Sequence, residues 1–263
     1  MRRACWTVRS ALFVAWLLAT VVPYAIVVLV VSVVVRGPRL YWLVIGWLRL
    51  TMWGSRYLCG VRARVQGLHH VPTAAQGRAA VILASKHQST WETFALPTLM
   101  PHPLAYVFKR ELLFLPFVGW AMARLAMLHN DRSKRAEAWA KVAAQGRRLM
   151  DEGVWVIMFP EGTRTTRGSQ GTYKSGAARL AVTTGTPIVP IAVTSGRCWP
   201  RKSFLLRPGV IDVSIGAPIA SVGREPDALR REIETWIETE MRRLDPDAYV
   251  SAAPAPRPAV ASR

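Results

Sequence analysis

Acidic side chains are scarce in this chain: 16 aspartates and glutamates stand against 35 lysines and arginines among 263 residues, a formal charge of +19 at pH 7. So large an excess calls for an anionic partner or surface. Cysteine is scarcer still. Cys5, Cys59 and Cys198 show neither disulfide nor metal-ligand spacing, which excludes a stapled secreted scaffold and suggests a reducing compartment. Small buried or membrane-facing roles suit all three. The chain has no internal repeat, no Gly-x-Ser-x-Gly elbow and no nucleic-acid motif, and its basic residues are scattered rather than blocked. Nucleic acid is therefore not expected as a partner, and an anionic bilayer with acidic substrates accounts for the same charge. His69, His70, His102 and His129 lack acid or metal-type spacing and read as structural.

What the chain does have is a long apolar run. Residues 11–35 carry no charged side chain. As a helix, 25 residues measure roughly 37 Å against a hydrocarbon core of about 30 Å. The run is too long for a signal-peptide core, and no convincing cleavage site follows. Pro23 predicts a kink near its middle. Arg2, Arg3 and Arg9 precede it while Arg36 and Arg39 follow, so flanking charge leaves the topology open. A second patch, residues 40–53, mixes Tyr41, Trp42, Trp47 and Trp53 with Arg49, a composition suited to the headgroup level. Two readings stand: a helical hairpin with both ends on one side, or one span followed by an interfacial helix. Residues 1–58 are accordingly expected to form a membrane anchor, 59–250 a catalytic domain, and the Ala/Pro-rich residues 251–263 a disordered tail.

The middle of the chain alternates strand and helix signals in the manner of an α/β domain. Apolar runs predict strands over 79–84, 104–108, 154–158, 188–193 and 210–215. Helices are predicted over 91–100, 113–127, 175–184 closed by Gly185, and 225–244, with another capped by Asp131 or Ser133 and closed by Gly153. In the helix over 225–244, Leu229, Ile233, Trp236, Ile237 and Met241 share one face, which reads as core.

Two strand ends carry polar residues. The first strand runs into Ser85-Lys86-His87-Gln88-Ser89-Thr90-Trp91-Glu92. That places His87 on a turn and Glu92 in the first helical turn, within reach of the ring. A neutral imidazole can remove a proton from an alcohol when a carboxylate holds its other nitrogen. Ser85 and Ser89 read as turn and capping residues. The second end is Phe159-Pro160-Glu161-Gly162-Thr163-Arg164, where Gly162 allows close backbone approach and Arg164 offers a fork suited to phosphate. Alone, each segment is as compatible with a surface His and Glu, or a surface ion pair, as with chemistry.

Together, the two segments resemble the motifs of the glycerolipid acyltransferase family typified by 1-acylglycerol-3-phosphate acyltransferase. The first is its His-x4-acid motif, with Glu92 where the family usually has Asp; the extra methylene still permits a carboxylate–imidazole bond. The second, Phe-Pro-Glu-Gly-Thr-Arg, matches residue for residue. Residues 107–112 with 115–120 resemble an intervening motif and 188–193 a fourth, in family order over about residues 80–195. The resemblance implies a glycerolipid acyltransferase-type mixed sheet flanked by helices. It also implies transfer of a fatty acyl group from an acyl carrier protein or coenzyme A thioester to the sn-2 hydroxyl of lysophosphatidate, giving phosphatidate. His87 would be the general base, with Glu92 fixing its tautomer. Arg164, helped by Lys109 or Arg110, would hold the phosphate. Glu161 would bind the glycerol backbone or orient Arg164. Thr163 and the Gly162 amide would donate to phosphate or to the thioester oxyanion. No acyl-enzyme, metal or redox cofactor is implied. The expected location is the bacterial inner membrane, with the catalytic domain on its cytoplasmic side. The rival readings are an acyltransferase for another lysophospholipid or lipid A acceptor, and a non-catalytic basic membrane-binding protein.

Overall fold

The computed structural model describes residues 2–73, 80–108, 114, 116–125, 127–129 and 135–250. Lys109 and Arg110, the helix caps expected at Asp131 or Ser133, and the tail after 250 lie outside the described residues.

The apolar N-terminal run forms α1 (Arg2–Val31), which continues through Pro23. Gly37, with φ +64, turns the chain, and Pro38 opens α2 (Pro38–Cys59) in the first helical turn, where a missing amide costs nothing. The two helices pack antiparallel. Trp16 meets Trp53, Trp47 Nε1 donates to Thr20 Oγ1 at 3.2 Å, and Tyr24 Oη donates to the Leu43 carbonyl at 2.9 Å. Gly60 ends α2 in the left-handed region.

Seven strands follow: β1 (Val61–Gln66), β2 (Ile82–Ser85), β3 (Leu104–Phe108), β4 (Leu128–His129), β5 (Trp155–Met158), β6 (Ile188–Val193) and β7 (Gly209–Ile215). They form one sheet in the order β1-β7-β6-β2-β5-β3-β4. Every neighbouring pair is parallel except β6 and β7. The sheet is therefore mixed, as the family resemblance implied. Between the strands lie α3 (Trp91–Leu99), α4 (Val118–Met122), α5 (Arg135–Asp151) and α6 (Gly176–Thr184); α7 (Pro226–Leu244) and α8 (Pro246–Val250) close the chain.

Alternation along the central strands builds two cores. Leu83, Trp155, Ile157, Val189 and Ile191 face Phe13, Ile45, Trp91 and Leu96 from α1, α2 and α3. Ile82, Val156, Ile188 and Ala192 face Leu180 of α6 and Leu229, Ile233, Ile237 and Met241 of α7. Each such α7 side chain stabilises the fold by roughly 1.5–3 kcal/mol. Strands this short with both faces covered need near-continuous apolar sequence. The consequence for function is directional: β2 lies between β5 and β6 and parallel to both. Three carboxyl ends therefore open on one edge of the sheet, the usual ligand edge of α/β folds.

Candidate active site

After β2 the chain turns through Lys86 to Thr90 into α3, and the segment following β5 clamps that turn from the main chain. The His87 amide donates to Glu161 Oε2 at 3.0 Å. The His87 carbonyl accepts from the Thr165 amide at 2.8 Å and from Thr165 Oγ1 at 3.2 Å. The His87 ring lies flat on Phe159, with centroids 3.9 Å apart and 15° between planes. Its Nδ1 is buried without a hydrogen-bond partner among the described residues. Burial, and after it the positive charge of Arg164, depress His87 to about 4. At neutral pH the ring is uncharged and free to accept a proton.

Glu92 is fully buried in the first turn of α3. Its Oε1 accepts from the Gln88 amide at 2.6 Å, the Ser89 amide at 3.0 Å and Ser195 Oγ at 2.6 Å. The expected reach back to the His87 ring is therefore replaced by a reach back to the loop amides. The physical reason is competition: the side chain meets two free amides of the turn that leads into its helix before it meets the imidazole. Its other oxygen, Oε2, is buried without a hydrogen-bond partner among the described residues. Burial pushes Glu92 up to about 7, against the Ser195, Gln88 and Ser89 donors that favour the anion. The helix cap falls at Thr90, whose side chain makes no capping bond, and Ser89 before it closes the turn, its hydroxyl accepting from the Trp91 amide at 3.0 Å.

Beneath the turn, Lys86 is wholly buried. Its Nζ donates to Glu161 Oε1 at 2.7 Å, Glu238 Oε1 at 2.6 Å and the Ser169 carbonyl at 3.1 Å. Glu161 Oε1 also accepts from the Gly171 amide at 3.2 Å. Both expected roles for Glu161 give way here. Its two oxygens are engaged inward by Lys86, His87 and Gly171, and a carboxylate this deeply buried is costly without such partners. Arg164 takes its contact elsewhere, donating through Nη1 to Thr90 Oγ1 at 2.8 Å.

Gly162 has φ +66, a conformation glycine adopts without steric cost. Its amide, expected to serve phosphate or an oxyanion, donates to the Phe159 carbonyl at 2.9 Å and closes the turn. A methyl group at Gly162 would lie 2.8 Å from Lys174 Nζ, so that exposed ammonium sits directly over the turn. Thr163 and Arg164 are exposed. Arg164 and Thr90 line a groove of about 290 Å³ whose walls are otherwise largely apolar, with Leu17, Trp199 and Phe204 among them and Lys202 and Ser203 as further polar members. Sequence patterns gave no pointer to Phe159 as the ring's support, to Lys174, or to Ser195, which follows the fourth motif.

A family model described as Acyltransferase matches residues 62–194, which include His87, Glu92 and Arg164. A 1-acyl-sn-glycerol-3-phosphate acyltransferase of Pseudomonas aeruginosa is 40% identical over 211 residues, covering 79% of this chain and 80% of that one. The chain belongs to the 1-acyl-sn-glycerol-3-phosphate acyltransferase family. The human alpha enzyme of that name is 30% identical over 204 residues, covering 76% of this chain and 71% of its own. The crystal structure of the 1-acyl-sn-glycerophosphate acyltransferase PlsC from Thermotoga maritima superposes with a TM-score of 0.76 at 22% identity, covering 93% of this chain and 98% of that one. The fold of this acyltransferase is thus that of a solved relative. The family match stops one residue short of Ser195 and well before Glu238 of α7. Two side chains that bond the acyltransferase's own site therefore lie beyond its family signature.

Proposed function

We propose that this acyltransferase moves a fatty acyl group from an acyl thioester to the sn-2 hydroxyl of lysophosphatidate, giving phosphatidate. The observation that carries the reading is an exposed guanidinium, Arg164, whose charge is felt by the uncharged His87 imidazole and which also lines a largely apolar groove. An amphipathic acceptor fits such an arrangement: phosphate on Arg164, hydroxyl at His87, hydrocarbon along Leu17 and Phe204. A phosphate dianion calls for more than one cation. Lys174, over Gly162, joins Lys109 and Arg110 as a candidate for the second.

His87 Nδ1 faces the interior, which leaves Nε2 for the substrate hydroxyl. As the proton moves to Nε2, the oxygen attacks the thioester carbonyl and the thiol departs, taking the proton back from the imidazolium. While charged, the ring has a buried Nδ1–H and Glu92 Oε2 is a buried acceptor, neither of them partnered among the described residues. A closing movement that joins them would stabilise the imidazolium where it forms. The reaction read this way uses an acyl carrier protein or coenzyme A thioester as co-substrate and calls on no metal or redox cofactor.

The membrane part of the reading rests on α1, which is long and apolar enough to cross a bilayer and whose apolar window is 11% buried. Yet α1 also packs along the protein, from Ser10 Oγ accepting the Leu206 amide at 2.9 Å to Ala25 and Val28 against Ala121 of α4. Leu12, Leu18, Val22, Ile26 and Val30 remain exposed, spaced as one helical stripe. Seating that stripe in an anionic leaflet, with the catalytic domain on the cytoplasmic side of a bacterial inner membrane, accounts for stripe and charge together.

The test is His87→Ala assayed with lysophosphatidate and an acyl thioester. Loss of a general base is expected to lower turnover roughly 100- to 10,000-fold. Parent turnover in a folded, membrane-associated variant overturns the reading.

A further inference from the structure

The mechanism leaves one group of buried charges without a task. Lys86, Glu161 and Glu238 come from the turn after β2, the turn after β5 and helix α7, and their side chains are between 0% and 3% exposed. One ammonium bonds both carboxylates, at 2.7 and 2.6 Å. Tyr173 Oη adds a donor to Glu238 Oε1 at 2.8 Å, and the Gly171 amide adds one to Glu161 Oε1 at 3.2 Å. A methyl group on Gly171 would meet Glu161 Oε1 at 2.9 Å, so the loop over 165–171 closes tightly on the pair.

What this cluster holds is the base itself. Glu161 has two oxygens; Lys86 takes one, and the other receives the His87 amide. The Lys86 amide in turn donates to the Ile191 carbonyl of β6 at 2.9 Å, and Thr165 holds the His87 carbonyl. Every main-chain polar group of His87 is thereby fixed by the segment after β5, whose position depends on Lys86. Burying three ions is costly unless each is bonded, so a turn needing only stability would use apolar side chains. Charge-assisted hydrogen bonds are strong and directional, and direction is what a base needs: a misplacement of about 1 Å can cost on the order of 100-fold in rate.

We propose that Lys86, Glu161 and Glu238 form a positioning unit that fixes the His87 main chain and ties the placement of the base to the seating of α7. Lys86 and Glu238 touch no substrate in this role, and Glu161 acts on the reaction through His87 rather than on the acceptor. The proposal rests on the reading of His87 as general base.

The experiment compares Lys86→Met, Glu161→Gln and Glu238→Ala with the parent and with His87→Ala. It measures kcat and KM for lysophosphatidate, thermal stability, and amide hydrogen exchange of the peptide spanning residues 85–90. Lys86→Met is expected to lower kcat about 10- to 100-fold, the range set by small misplacements of a catalytic group. The acceptor KM should stay within about 2-fold, since no ground-state binding is removed. Exchange in the peptide over 85–90 should quicken while α7 stays protected. Glu161→Gln retains an acceptor for the His87 amide and should show the milder form of the same kcat effect. Glu238→Ala probes the same unit from α7 should Lys86→Met not fold, and is expected to lower kcat with KM held.

Parent kcat per folded molecule in Lys86→Met or Glu238→Ala overturns the proposal, because a purely structural cluster would lower stability alone. A raised acceptor KM with unchanged kcat in Glu161→Gln overturns it as well, making Glu161 a substrate ligand. An active His87→Ala variant would instead sink the general-base reading beneath it. The two failures are therefore distinguishable.

Discussion

Ser195→Ala removes the shortest side-chain bond to Glu92, a 2.6 Å hydroxyl donor in a site with no solvent access. A hydrogen bond to a buried charged group contributes about 1.5–3 kcal/mol. That is about one to two pH units of carboxyl titration. The donor favours the anion, so its loss raises the titration point from about 7 toward about 8 or 9. At pH 7 the ionised share of Glu92 then falls from about half to roughly 1–10%. If the anion stabilises imidazolium, turnover at pH 7 drops about 5- to 50-fold and most of it returns above pH 9. The assay is kcat against pH with lysophosphatidate and a fixed acyl thioester. The parent's acid limb should lie near 7, and His87, held down to about 4, should add nothing until well below it. Stability supplies an independent check of sign. A carboxyl raised from its ordinary 4.5 to about 7 favours the folded state most below 4.5, and that advantage is lost as pH rises through 7. The variant should therefore lose more Tm at pH 9 than at pH 5. An acid limb that stays where the parent's lies would refute the role given to the Glu92 charge.

Two further outcomes follow from exposed groups. Arg164→Lys should raise the lysophosphatidate KM about 10-fold, since an ammonium cannot both grip phosphate as a fork and hold Thr90; steady-state kinetics should leave the donor KM unchanged, and a donor-only effect would reverse the substrate orientation. Leu18→Asp with Val22→Asp places two charges on the exposed stripe of α1. Sedimentation with anionic vesicles should show at least a 10-fold loss of binding, given about 0.8 kcal/mol for each CH2 withdrawn from the bilayer, while turnover on detergent-dispersed substrate holds; undiminished vesicle binding counts against the seating of that stripe.

Much of the fold was legible because its buried strands and their stops are local signals. Residues 104–108 and 188–193 form strands over the predicted range, β7 begins one residue early, and α6 ends at Gly185 with φ +70. Glu225 caps α7, its side chain accepting from the Ala228 amide at 2.7 Å. Other elements were hidden by their partners. β1 reads Val-Arg-Ala-Arg-Val-Gln, a single short alternation of three apolar and three polar residues, and pairs in parallel with β7 far along the chain. Its Arg64 is then bonded to Asp212 at 2.6 Å across that pairing. A local pattern cannot report a partner so distant. The strand predicted over 79–84 begins only at Ile82, where its amide finds the Pro187 carbonyl at 3.0 Å.

The site was legible as a set of residues but not as a set of directions. A polar group at a strand end looks like a ligand-binding group in sequence, because the pattern records chemistry and position but not which way a side chain faces. For Glu161 the deciding residues were Lys86 and Glu238, separated from it by 75 and 77 positions. One signal was present. Glu238 follows Ile237 and precedes Met241 by one turn, so an acid stood on the edge of the stripe otherwise read as core. An acid there is expensive unless a cation meets it. Lys86, directly after a strand buried at every position, was the matching anomaly. Read as a pair, the two misplaced charges predict each other. Lys86 bonds both Glu238 and the Glu161 carboxylate that holds the His87 amide, and so the buried charges reach the base through its main chain.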